Sequence, residues 1–310
     1  MVLQINCVNR VMFWSCLYCL GVVSFLNGVS ANATINLMEK KQNKFFLATC
    51  HGMYSLGGAV SAGIAALLFL VHVQSSWQIV IVAAVLVTII FSNRKHLLAN
   101  TDIIHSRSAF KLPSSSILGI SFICMVSFMA EGCVADWSAI YFKEILFAPK
   151  ALMSLGYAGF SVAMTLGRLN GDWLIKRTGS KNVVVSGALL AALGFLVVVT
   201  STVVVVAITG YIMVGLGCCC IVPVLFRASA NIPGLSTVEG YAMVTTGGLI
   251  GFLAGPSVIG FISEKASLSK GLSLLIIMGL LAAFAAWRNP FLVNKEKIKK
   301  GTLLYDEQIY

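Results

Sequence analysis

Long apolar segments alternate with short polar links along almost the whole chain. A helix needs about 20 apolar residues to cross the hydrocarbon core of a membrane, and nine segments approach or exceed that length. They cover residues 11–36, 46–71, 77–93, 116–141, 151–175, 182–200, 203–226, 240–262 and 271–288. The pattern predicts an all-α polytopic membrane protein with about nine transmembrane helices.

The least distinct boundary lies between the segments 182–200 and 203–226. Valine-rich sequence runs through it, and Ser201 and Thr202 are its single interruption. A stretch of about 45 residues is too long for one span, because a bilayer accommodates roughly 20 to 25 helical residues. Length therefore predicts two helices here.

Composition supports a membrane protein and argues against nucleic-acid binding. Hydrophobic residues make up 58% of the chain and charged residues 11%, whereas a soluble domain is roughly 45–50% apolar and about 25% charged. The net charge of +11 comes from Lys and Arg that flank the apolar segments, as membrane orientation requires. We expect the lipid bilayer as a partner and no nucleic acid.

The distribution of Lys and Arg predicts the orientation. The links 37–45, 94–115, 176–181 and 227–239, with the tail from Arg288 onward, hold 16 of the 22 Lys and Arg, the opposite side holds 5, and Arg168 is the remaining one. Cytoplasmic links carry the excess of positive charge. The sequence therefore predicts a multi-pass protein of the cell (inner) membrane, with a cytoplasmic C-terminus.

The same links predict the domain organisation. The longest polar stretch, residues 94–115, separates three apolar segments from six, and transporter halves are commonly joined by such a cytoplasmic loop. We expect a partial N-terminal half at 1–93, a central loop at 94–115, a six-helix half at 116–288 and a cytoplasmic tail at 289–310.

Two features of the sequence carry alternative interpretations. The nine cysteines lie mostly inside apolar segments, where Cys behaves as a small hydrophobic residue, so we expect no metal, redox centre or cofactor. Residues 1–33 end in an Ala-x-Ala element and have the layout of a signal peptide, which is the alternative to a transmembrane helix in this segment.

The chain has a charged, glycine-containing stretch at 167–181, with the sequence GRLNGDWLIKRTGSK. It resembles the conserved cytoplasmic loop of major facilitator superfamily transporters, Gly-x-x-x-Gly-Asp-x-x-x-x-Arg-x-Gly-x-Lys. The resemblance implies a cytoplasmic gate, with the matching residues Gly167, Arg168, Gly171, Asp172, Arg177 and Gly179. Asp172 can pair with Arg168 or cap a neighbouring helix N-terminus, and the alternative is a solvated loop.

Other segments resemble the fucose-permease-like branch of this superfamily, a sugar-porter type. The matching segments are 21–63, which contains Gly28, Asn32, Asn36, Glu39 and His51, then 131–143, 215–226 and 240–264. In the superfamily, the loop at 167–181 lies between helices eight and nine, whereas five apolar segments precede it here. The resemblance therefore implies helices four to twelve of a twelve-helix transporter, without the first three.

Three residues in the segment 116–141 are candidates for the substrate or proton pathway. Glu131 falls near the middle of the span, where an ionised carboxylate is costly and a proton would lower that cost. The alternative is a structural Glu that hydrogen-bonds to a neighbouring helix. Asp136 is about 140° around the helix from Glu131, so the two do not form a carboxylate pair. Trp137 suits either an interfacial belt or a platform for a sugar ring.

Amides and one histidine complete the candidate pathway. Asn32 and Asn36 lie one turn apart on one helix face, where amides can bind a polyhydroxy solute or hold helices together. His51 can serve in a gate or proton relay, or form a plain interhelical hydrogen bond. Near the C-terminal end, Gly247, Gly251, Gly255 and Pro256 predict a tightly packed helix that can kink.

These features favour a secondary active transporter that moves a small polar, sugar-like solute by alternating access, with proton symport as one way to drive it. No catalytic set of residues, metal cluster or phosphate-binding loop stands out in the sequence, so we do not expect an enzyme. The alternative is a truncated remnant that does not transport, and a membrane enzyme is a distant third. Substrate, direction, coupling ion and oligomeric state are left open.

Overall fold

The computed structural model of the chain describes residues 8–42, 44–57, 75–92, 115–149 and 152–292. The regular elements in these ranges are α-helices, which confirms the predicted all-α class. They are α1 (Arg10–Gln42), α2 (47–57), α3 (Ser75–Ser92), α4 (Ser115–Glu144), α5 (Leu155–Leu169), α6 (Gly171–Thr178), α7 (Ser180–Thr200), α8 (Val204–Cys218), α9 (Ile221–Ser229), α10 (Thr237–Lys265) and α11 (Leu268–Arg288).

Six helical stretches among the described residues are long and apolar enough to cross a membrane. They are Arg10–Glu39, Ile117–Glu144, Ser180–Thr200, Val204–Ser229, Thr237–Lys265 and Leu268–Arg288. The predicted separation after residue 200 is correct, since α7 ends at Thr200 and α8 begins at Val204. The second half of the predicted span 46–71 lies outside the described residues, as does nearly all of the central loop 94–115.

Three predicted links are wrong in the structure. The link predicted from residue 37 starts too early, because α1 continues to Gln42. The link predicted at 176–181 is almost entirely helical, because α6 continues to Thr178 and α7 begins at Ser180. Gly179 alone joins them, with a φ of 89° that suits glycine because it has no Cβ to clash with the backbone. The link predicted from residue 227 starts too early, because α9 continues to Ser229 and contains Arg227.

The structure divides into two compact units. Among the described residues, the first unit contains α1 up to Gly28, residues 55–57 and α3, and most of its apolar side chains are exposed. The second unit contains α1 from Val29, α2 up to Tyr54 and all helices from α4 to α11. Its core is apolar and includes fully buried Tyr141, Tyr211 and Phe195.

Glycines bring the helices of the second unit into close contact. Gly247 and Gly255 of α10 lie against Ser121 and Met129 of α4, where an added Cβ would come within 2.7 and 2.5 Å of neighbouring atoms. Gly251, between them in sequence, faces the backbone of α4 at Met125. Small residues permit such backbone approach between membrane helices. Although Pro256 follows directly, α10 runs through it without a break.

Candidate functional site

Two carboxylates from different helices cap the N-terminus of α2. Glu39, near the end of α1, accepts hydrogen bonds through Oε1 from the backbone N–H groups of Phe46 (2.6 Å) and Leu47 (2.7 Å). Asp172, in the first turn of α6, accepts through Oδ2 from the backbone N–H (2.9 Å) and hydroxyl (2.7 Å) of Thr49. The first N–H groups of a helix lack partners within it, and negative charge is favourable at that end. The two side chains therefore stabilise the start of α2.

One arginine joins both carboxylates. Arg227 of α9 binds Glu39 in a bidentate manner, with Nε–Oε2 and Nη2–Oε1 distances of 2.9 and 2.7 Å, and its Nη2 lies 3.5 Å from Asp172 Oδ1. Glu39 is 0% exposed and Arg227 2% exposed. The guanidinium also lies over the Phe45 ring, 4.3 Å from its centroid. We call Glu39, Asp172 and Arg227 the gate cluster.

Glycine positions the gate cluster. A Cβ added to Gly171, directly before Asp172, would lie 2.9 Å from the Ala48 side chain and 2.6 Å from Cys220 Sγ. On α2, a Cβ added to Gly52 would lie 3.1 Å from the backbone nitrogen of Leu169. The two glycines therefore let α5 and α6 approach α2 closely enough for the Asp172 carboxylate to reach its backbone.

A second charged contact lies between α4 and α5. Glu131 Oε2 is 3.6 Å from Arg168 Nη2, and their side chains are 32% and 10% exposed. Glu131 falls near the middle of Ser115–Glu144, and Arg168 lies in the nearly continuous helical run from α5 into α6. The Arg168 Nε also donates to the Cys219 carbonyl oxygen at 3.4 Å. We call Glu131 and Arg168 the midspan pair after the position of Glu131, since Arg168 lies in the last turn of α5.

The polar residues of α1 meet α2. Asn32 Oδ1 lies 3.0 Å from His51 Nε2, and the His51 ring stacks on Phe226 with a centroid distance of 6.0 Å. Asn36, one turn further along α1, is 0% exposed, and both polar atoms of its amide lack a hydrogen-bond partner. The structure thus gives His51 the interhelical hydrogen bond, while the role of Asn36 is still a prediction.

Other predicted site residues lie apart from these groups. Asp136 is exposed. Trp137 donates through Nε1 to the Pro256 carbonyl oxygen at 3.0 Å, so its polar edge is used to join α4 and α10. Arg177 is exposed and lies over the Trp173 ring at 5.2 Å. Its described contact is thus with a neighbouring surface residue of α6 and not with a member of the gate cluster.

Sequence reasoning gave no role to two members of the gate cluster. Glu39 was noted as one of the residues that carry the family resemblance, without a partner or a role. Arg227 was assigned to a link. A signal was present, however, because Arg227 is the single Lys or Arg between Lys181 and Lys265, and an isolated cation among apolar residues favours a buried ion pair.

Comparisons with known proteins agree with this fold. No family model matches the sequence. The chain is 32% identical to an uncharacterised MFS-type transporter of Yersinia pestis, over 83% of this chain and 67% of that protein. It is 27% identical to the uncharacterised transporter y4wD of Sinorhizobium fredii, over 85% of this chain and 70% of that protein.

A solved structure supports the same architecture. The peptide transporter POT, crystallised with sulfate, matches 63% of this chain and 44% of its own length, with a TM-score of 0.53 and 15% identity. The fold and the relatives define an integral, multi-pass membrane transporter and not an enzyme. The chain belongs to the major facilitator superfamily.

Proposed function

We propose that this chain transports a small, polar, sugar-like solute by alternating access and couples the movement to protons. The observation that carries the proposal is the midspan pair, because ionisable groups inside membrane helices are costly and usually functional. The sequence resemblance to the fucose-permease-like branch supports the sugar-like solute. The polar groups Asn32 and Asn36 offer hydrogen bonds that such a solute needs.

The midspan pair suits a proton carrier because its contact is loose. One ion-pair distance of 3.6 Å joins Glu131 to Arg168, and about a third of the Glu131 side chain is exposed. Protonation of Glu131 would neutralise it and release Arg168. A carboxylate that alternates between a proton and an arginine partner can link proton entry to a change in helix packing.

The gate cluster suits a latch at the cytoplasmic end of the membrane helices. For the latch to open, the start of α2 must move away from the Glu39 and Asp172 carboxylates. This movement would break the hydrogen bonds between those carboxylates and the first residues of α2. The arrangement therefore favours the conformation in which α2 is held. Ligand or proton binding elsewhere would release it by favouring the other state.

The Lys and Arg distribution supports the proposed orientation, with the C-terminus in the cytoplasm and the protein in the cell (inner) membrane. It also supports the proposed domain division at the central loop 94–115. With that orientation, Asp172 and Arg227 face the cytoplasmic half of the bilayer, where a latch would control solute release or entry.

Transport by the reconstituted full chain tests the proposal. Proteoliposomes that contain a pH-sensitive dye would be supplied with radiolabelled L-fucose or D-galactose, with and without an imposed proton gradient. We expect uptake that the gradient stimulates, and Glu131→Gln should remove the stimulation. Asp136→Asn is the matched control, since Asp136 is an exposed carboxylate on the same helix. Gradient-stimulated uptake that persists in Glu131→Gln would exclude the coupling role.

A further inference from the structure

Two adjacent thiols meet at the break between α8 and α9. Cys219 and Cys220 lie between Cys218, the last residue of α8, and Ile221, the first of α9. Their Sγ atoms are 3.4 Å apart, and the two residues are 5% and 2% exposed. The pair is therefore held together at the point where the helix is interrupted.

Each thiol fills a notch left by a glycine of the stretch 167–181. A Cβ added to Gly167 would lie 2.5 Å from Cys219 Sγ, and a Cβ added to Gly171 would lie 2.6 Å from Cys220 Sγ. The Cys220 thiol also lies 3.6 Å from the Gly167 carbonyl oxygen. The two notches are one helical turn apart, so the glycines hold both thiols against the α5–α6 run.

Cys218 provides a contrast within the same run of three cysteines. It lines a small apolar cavity with Ser127 and Ala130 of α4 and Ala191 of α7. Cys218 therefore contacts α4 and α7, whereas Cys219 and Cys220 contact the glycines of α5 and α6. All three thiols are similarly buried. This difference in contacts makes Cys218 a matched control.

We propose that Cys219 and Cys220 are a redox modification site, at which a peroxide closes the pair to a disulfide. One thiolate attacks hydrogen peroxide to give a sulfenic acid and hydroxide, and the second sulfur displaces the sulfenic oxygen as water. Two thiols and one peroxide thus yield one disulfide and two waters. The sulfurs lose two electrons in total, the peroxide oxygens gain them, and both thiol protons end in water.

The bond would be readily reversible. Adjacent Cα atoms are about 3.8 Å apart, whereas disulfides usually join Cα atoms about 4.4–6.8 Å apart, and departures from that range make the bond easier to reduce. A thiol reductant would therefore restore the pair. Such lability is typical of regulatory disulfides and not of structural ones.

Closure would disturb the glycine notches. A disulfide holds its sulfurs about 2.0 Å apart, so at least one of Cys219 and Cys220 must leave its notch. In sequence, Arg168 lies between Gly167 and Gly171, and its side chain donates a hydrogen bond to the Cys219 carbonyl oxygen. The change would therefore reach the midspan pair. This consequence for transport rests on the proposed function, whereas the thiol chemistry does not.

Peptide mapping of the full chain in lipid nanodiscs tests the chemistry directly. The protein would be treated with hydrogen peroxide, denatured, alkylated and digested. The peptide with all three consecutive cysteines should carry three labels before treatment and one afterwards, with a mass loss of two hydrogens. Dithiothreitol should restore three labels.

Single substitutions assign the bond. Neither Cys219→Ser nor Cys220→Ser should show the loss of two hydrogens after peroxide, because each lacks one sulfur of the bond, whereas Cys218→Ser should show it and go from two labels to none. Melting temperatures would verify that each variant is folded, and the wild-type result stands without them. Three labels that persist after peroxide, oxygen addition without loss of two hydrogens, a bond that needs Cys218, or a bond to Cys50 would each overturn the proposal.

Discussion

The gate cluster and the midspan pair both bury charge, but they are built differently. In the gate cluster, two carboxylates share one arginine and also accept hydrogen bonds from the start of α2, and Glu39 and Arg227 are almost completely buried. In the midspan pair, one contact of 3.6 Å joins a carboxylate that is about a third exposed to one arginine. The gate cluster is therefore held by more contacts, and more deeply buried ones, than the midspan pair.

This contrast agrees with the energetics of buried ions. Removal of water from a charge costs several kcal/mol, and hydrogen bonds plus an opposite charge must offset that cost. The gate cluster meets the requirement through several contacts at once. The midspan pair meets it less fully, through a single longer contact to a carboxylate that is partly exposed.

Loss of the shared arginine should have the largest effect. Arg227→Leu leaves Glu39 and Asp172 buried without their cation, which costs about 3–5 kcal/mol when one partner of a buried pair is removed. We expect a strong fall in the melting temperature of the purified protein. The triple variant Arg227→Leu, Glu39→Gln, Asp172→Asn removes all three charges and should recover much of that loss. A single Arg227→Leu variant that melts like wild type would contradict the model of a shared buried cation.

The same chemical change at the two glutamates should separate the two groups. Glu39→Gln removes a charge that binds Arg227 and should destabilise the fold by about 1–3 kcal/mol, as loss of a buried polar partner does. Glu131→Gln should change stability by less than about 1 kcal/mol, because its contact is single and partly exposed. Thermal unfolding of both variants under identical conditions measures this. Equal shifts would remove the distinction.

Hydrogen exchange sharpens the comparison at the start of α2. Asp172→Asn removes the charge that faces the Thr49 backbone N–H, so amide exchange in the segment 46–49 should be several-fold faster. Glu131→Gln is the control and should leave exchange in that segment unchanged, because Glu131 has none of these contacts. Unchanged protection in Asp172→Asn would mean that the cap does not hold α2.

The smallest effect should come from the exposed cation of the stretch 167–181. Arg177 lies over Trp173 at the surface, and exposed cation–π contacts contribute little. We expect Arg177→Leu to leave both the melting temperature and exchange in the segment 46–49 within experimental error. A shift as large as that of Glu39→Gln would place Arg177 in the gate after all.

Hydropathy alone predicted the helices well, since span length and the Ser201–Thr202 interruption depend on local sequence. The candidate site was only partly predictable. The motif containing Asp172 drew attention to the correct stretch, and a helix cap was one of its two possible roles. The partners Glu39 and Arg227 are 188 residues apart in sequence, and no local pattern reports which distant helices will meet. Arg227 was misassigned because its apolar run was taken to end one residue before it.

The separation between Glu39 and Arg227 also has a consequence for biosynthesis. When the ribosome has released α1 and α2, the cation that neutralises Glu39 has not yet been made, since Arg227 follows 188 residues later. Until then the nascent chain exposes an unmatched acidic group and an unfinished helix end within or beside the bilayer. Completion of α9 therefore marks the stage at which the Glu39 carboxylate can gain its cation and this part of the chain can reach its final packing.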